Sequence, residues 1–190
     1  ALYVADPINL TASFTYPATS LVSYLFQRVP GQFYEWQCLA GLDILFLACI
    51  APAAAMPRKN WAGAVLVFAA GFLLPFFFSV VPAGTQSTIY ANAMADTPLA
   101  LLFGGTLCLY AAAGGRKTGF FACAMPLAVL TMTKDIGFAY ALIVTFLIGL
   151  DQLFGTPHPD TKPARIFGVS LAKCSILAAV VLAVFISWNR

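Results

Sequence analysis

Apolar and polar positions are segregated into blocks along this chain rather than alternating residue by residue. Apolar runs cover Cys38–Met56, Trp61–Pro82, Thr97–Ala113 and about Ile166–Trp188. A further run from 120 to 150 is broken once, by Lys134 and Asp135 in LTMTKDIGFAY, into Phe120–Thr133 and Ile136–Leu150. Blocks of this size suit membrane-crossing helices, whereas outer-membrane barrels are built from alternating strands of roughly ten residues. The expected fold is therefore all-α, a polytopic transmembrane helix bundle of about six spans. Short polar connections separate the runs: PRKN, AGTQSTIYANAMAD, GGRKTG and DQLFGTPHPDTKPAR.

Residues 1–37 are polar and aromatic, punctuated by Pro7, Pro17, Pro30 and Gly31, and cannot span a bilayer. Within them ATSLVSYLFQRV sets Leu21, Val22, Leu25 and Val29 at helical spacing, which suits a short helix lying in the membrane interface. Tyr16, Tyr24, Tyr34 and Trp36 fit the headgroup level, where amphipathic rings are favoured. The chain thus divides into an external loop segment, 1–37, and a helical bundle, 38–190. The opening ALYVADP has no initiator Met and no basic leader, so the sequence is expected to be an internal piece of a longer protein.

Composition sharpens the class: 61% of the 190 residues are hydrophobic and 9% are charged, against about a quarter charged in a soluble domain. The five cysteines all lie within apolar runs, where a thiol behaves as a small hydrophobe, and suggest neither a disulfide framework nor a metal site. A net charge of +3 is too small to imply nucleic acid. If each run crosses once, Arg58, Lys59, Arg116, Lys117, Lys162 and Arg165 fall on one side, which the positive-inside rule makes cytoplasmic. Residues 1–37, Asp96 and the Lys134–Asp135 pair then lie outside, in a bacterial inner or plasma membrane.

The charged pair in the 120–150 run is costly in hydrocarbon, at roughly 2.5–3.5 kcal/mol for each charge at a helix centre. One helix over 120–150 would be about 46 Å long, well beyond a hydrocarbon core of roughly 30 Å. Two short crossings meeting at Lys134–Asp135 fit better. The turn is then recessed in a cavity lined by protein, since irregular backbone is not tolerated against lipid.

Candidate chemistry gathers around that turn. Asp96, followed by Thr97 and Pro98, suits either a helix start or a site carboxylate. Lys134 is either an interfacial anchor or the cation of an anion site. Gly137 permits either a tight turn or close approach of a phosphate to backbone amides. Asp43, early in the first span, either lines the same cavity or pairs with an interfacial residue. Lys173 is placed to snorkel toward the cytoplasmic headgroups. His158 reads as a loop residue, and Asn9-Leu10-Thr11 fits a glycosylation sequon.

YPATSLVSYLFQRVPGQFYEWQ, then MADTPLALLFGGTLCLYAA, then GFFACAMPLAVLTMTKDIGFAYALI resembles, in order and spacing, the central part of GT-C superfamily membrane glycosyltransferases of the protein mannosyltransferase and aminoarabinose transferase type. The matching elements are Tyr16-Pro17, Asp96, and Thr133-Lys134 with Gly137, within residues 12–150. A departure is Ala18, where a second proline is common. The resemblance implies transfer of a sugar from a polyprenyl-phosphate donor to an acceptor on the non-cytoplasmic face, with inversion. It implies that Asp96 positions the acceptor or contacts a divalent cation, and that Lys134, with Gly137, binds the donor phosphate as leaving-group charge develops. Asp6, in VADPINL, stands as a candidate remnant of the catalytic external loop; Asp135, Tyr16 and Asp43 would line the site. The implied partners are the lipid-linked donor and membrane lipids. Two other classes stay open: a transporter with a broken-helix site, and a non-catalytic membrane scaffold.

Overall fold

The computed structural model describes residues 18–28, 35–56, 60–77, 96–113, 117–154 and 163–188. Among them the chain is all-helical, without strands. In chain order the helices are α1 Ala18–Arg28, α2 Glu35–Ala54, α3 Trp61–Phe77, α4 Asp96–Ala112, α5 Lys117–Ala122, α6 Ala124–Thr131, α7 Asp135–Phe154 and α8 Pro163–Trp188.

Local chemistry sets the ends. Asn60 caps α3: its side-chain oxygen accepts the Gly63 N–H at 3.2 Å and its carbonyl accepts the Ala64 N–H. Pro98 and Pro163 sit in the first turns of α4 and α8, where a missing N–H costs nothing. The interruption at Cys123 has a similar origin. Pro126, in the first turn of α6, has no N–H to continue the ladder from α5, so the chain turns once and restarts.

The core lies between α4, α5, α6, α7 and α8, around Leu102, Phe120, Leu127, Leu130, Val144, Ile148, Leu177 and Val181. Close approach is helped by small residues. A side chain at Gly105 would meet the Cys49 backbone, joining α4 to α2, and one at Gly149 would meet Cys174 Sγ, joining α7 to α8. Helix α1 lies across α2, with the Phe26 ring over Gly41. Its opposite face, Leu21, Tyr24 and Leu25, is exposed.

The sequence reading and the structure differ in length. Helix α7 runs to Phe154 and is about 30 Å long, so the expected short crossing Ile136–Leu150 is an underestimate. Asp151 and Gln152 belong to this helix and not to the following loop, because both make tertiary hydrogen bonds, described below. Two helices, Asp135–Phe154 and Phe167–Trp188, are long and apolar enough to cross a membrane by length and composition; Leu39–Ala54, Trp61–Leu73, Asp96–Ala112 and Gly119–Thr131 are shorter apolar helices.

Candidate functional site

Lys134 stands in the reversal between α6 and α7. Helix α6 ends by tightening: the Met132 N–H is shared between the Ala128 and Val129 carbonyls, and Thr133 N–H donates to Leu130 at 3.2 Å. The Thr133 hydroxyl turns back to the Val129 carbonyl at 2.8 Å. With its own polar atoms satisfied inside, Thr133 is buried, while Lys134 projects outward. Its Nζ donates to Asp96 Oδ1 at the start of α4, forming an ion pair.

Both partners are open to solvent, with side-chain exposures of 46% for Lys134 and 66% for Asp96. A pair this exposed contributes roughly 0–1 kcal/mol to stability. An ammonium and a carboxylate brought from distant parts of the chain and held this weakly can exchange partners. Asp135 makes no ion pair among the described residues. It opens α7, where a negative charge is favoured by the helix dipole.

A third segment joins them. The Ala18 N–H, which begins α1, donates to the Met132 carbonyl at 3.0 Å, and Ala18 is buried there. The starts of α1, α4 and α7 thus meet at one end of the bundle. Tyr16 and Asp6 lie outside the described residues.

Gly137 has a packing role. Its N–H is donated to the Lys134 carbonyl at 2.8 Å, so that amide is not open to a phosphate in this conformation. A Cβ on it would collide with the Leu130 carbonyl oxygen. The glycine lets α7 leave the turn directly against α6. Asp43 is half-buried on α2 and is bonded to neither Asp96 nor Lys134; its Oδ1 is buried without a hydrogen-bond partner among the described residues.

The opposite end of the same helices holds a polar cluster that the sequence reading did not find. Gln152 Nε2 donates to the Tyr110 hydroxyl at 2.5 Å, and that hydroxyl donates to Asp151 Oδ2 at 2.8 Å. Lys173 Nζ donates to Gln152 Oε1 at 2.9 Å and lies 5.7 Å from the centre of the Phe120 ring. Lys173 is thus turned into the bundle instead of snorkelling away. Helices α4 and α7 are consequently pinned at both ends, by Lys134–Asp96 and by Tyr110 with Asp151 and Gln152. A Tyr and a Gln about 40 positions apart, each in a mostly apolar run, carry no pairing signal in a single sequence.

Two further features bound the chemistry. No group of three or more His, Cys, Asp or Glu is placed to hold a metal among the described residues. A divalent cation at Asp96 would need most of its oxygen ligands from elsewhere, such as a phosphate. An apolar groove of about 380 Å³ runs between α7 and α8, past Leu142, Phe146, Gly149, Leu153 and Phe167. It begins about 10 Å along α7 from the charged turn. No family model, no curated protein and no solved structure matches this chain. The resemblance to GT-C glycosyltransferases therefore stands on the quoted motifs.

Proposed function

We propose that this chain is part of an integral membrane glycosyltransferase that moves a sugar from a polyprenyl-phosphate donor to an acceptor at the end of the bundle bearing Lys134 and Asp96. The six apolar runs would form a polytopic bundle in a bacterial inner or plasma membrane. Residues 1–37 and the charged turn would face outward. The observation that carries this reading is the meeting of Lys134, Asp96 and the start of α1 at one end of the helices. A lipid phosphate held there would have its charge beside an ammonium and its hydrocarbon part in the bilayer.

The distribution of polarity supports a membrane setting. Leu66, Met125, Phe146 and Phe154 are exposed, whereas Thr106, Thr131, Thr145, Gln152 and Ser170 are buried. Water would penalise this arrangement and lipid favours it. In the reaction Lys134 would hold the phosphate as the glycosidic bond breaks and negative charge builds on the departing oxygen. Asp96 would orient the acceptor hydroxyl or amine.

The test is transfer from a radiolabelled polyprenyl-phosphate sugar by the purified protein in nanodiscs. Lys134→Met is expected to lower transfer about 100-fold or more, as removal of one transition-state charge partner does. Unchanged transfer in that variant would overturn the reading.

A further inference from the structure

The ion pair poses a problem for any phosphate site built on Lys134: the ammonium already has an anionic partner. A second carboxylate is available next to it in sequence, yet Asp135 stays at the start of α7 and the amine reaches across to α4. Phosphate and Asp96 are chemically equivalent partners for one ammonium, since each offers anionic oxygens to a charge-assisted hydrogen bond. Both members of the pair are solvent-exposed and its net strength is small. An incoming phosphate can therefore displace the carboxylate without unmaking the fold, whose core lies below.

Resting on the phosphate-site reading above, we infer that Asp96 is the exchangeable counter-ion of Lys134 and competes with the phosphate for its ammonium. In the ligand-free protein Asp96 is engaged. When a phosphate takes the ammonium, the carboxylate is left at the start of α4, free to accept a hydrogen bond from the acceptor. Phosphate binding thereby favours acceptor binding, by the few-fold that the exposed pair is worth. Asp96 thus senses donor occupancy as well as orienting the acceptor. Asp135 forms no ion pair with the amine among the described residues, and its place in the first turn of α7 already suits its charge.

Equilibrium binding tests this with farnesyl phosphate as the probe, and inorganic phosphate in a parallel arm, on the protein in zwitterionic nanodiscs. Asp96→Asn is the informative variant because asparagine starts a helix as well as aspartate does while removing the charge. Farnesyl phosphate is expected to bind Asp96→Asn about two- to fivefold more tightly than wild type, the factor that an exposed competing pair is worth. Lys134→Met should lose about tenfold or more, as loss of a charge-assisted hydrogen bond implies. The gain from Asp96→Asn should vanish in the Lys134→Met background. Retention of the same gain in that background, or no gain at all with Lys134→Met still weakened, overturns the exchange and leaves the phosphate site standing. Wild-type affinity in Lys134→Met overturns the phosphate site itself. If inorganic phosphate shows the same pattern at comparable affinity, the site recognises the phosphate alone; weaker binding that keeps the pattern assigns the remaining affinity to the isoprenoid chain. Both support the exchange.

Discussion

Lys134 pairs with Asp96, 38 positions earlier in the chain, and not with Asp135 beside it. The choice joins the start of α4 to the turn before α7, and it makes the direction of the pair testable. In a double variant, Asp96→Lys with Lys134→Asp, attraction is retained but the ammonium moves to α4. Thermal unfolding is expected to stay within about 1 kcal/mol of wild type, since the pair is exposed. Transfer should remain about 100-fold down, because the cation no longer sits at the turn. Recovery of transfer in the swap, after loss in each single variant, would make the pair a strut and nothing more.

Gly137→Ala tests the close passage of α7 past α6. The added Cβ would collide with a backbone oxygen, Leu130 O, and backbone cannot rotate away as a side-chain end can. We expect a loss of roughly 1–3 kcal/mol, the usual cost of overpacking. Denaturation in mild detergent reads it. Gly149→Ala meets the Cys174 sulfur at 2.8 Å instead, so the milder loss there should be relieved by adding Cys174→Ala. A Gly137→Ala protein as stable as wild type would show that the turn has another arrangement.

The polar cluster at the far end gives a stability prediction with no catalytic counterpart. Tyr110→Phe removes the hydroxyl that accepts from Gln152 and donates to Asp151, leaving a buried amide short of a partner. A cost of about 1–3 kcal/mol is expected, the penalty for an unsatisfied buried group. Gln152→Leu alone should also be costly, because Lys173 loses its oxygen acceptor. A double-mutant cycle on Tyr110 and Gln152 should show coupling of at least about 0.5 kcal/mol. Additive losses would mean the two side chains do not act as one network.

What was legible in the sequence follows from which signals are local. The turn at Lys134–Asp135 was readable because span length and the cost of buried charge are both properties of one segment. The starts at Ala18 and Asp96 were readable from proline and polar punctuation. The end of α7 was not, since Asp151 and Gln152 look like the polar opening of a loop until Tyr110 and Lys173 are seen opposite them. Gly137 was read through its neighbours in sequence, and its packing partner Leu130 lies on another helix. For Lys134, the sequence showed two candidate carboxylates, and only the geometry chose between them.

Asp43 offers a last and opposite kind of prediction. Its Oδ1 is buried without a partner among the described residues, as is Gln37 Oε1 on the same helix, and an unsatisfied acceptor costs about 1–3 kcal/mol. A buried carboxylate that costs stability and contributes no described contact is a candidate site group. Asp43→Leu is therefore expected to raise the unfolding temperature of the purified protein while lowering transfer. Asp43→Asn, which keeps an acceptor and adds a donor, should fall between the two in transfer. A lower unfolding temperature in Asp43→Leu would mean that the carboxylate is held by a residue outside the described segments, and Asp43 would then be a structural contact rather than part of the site.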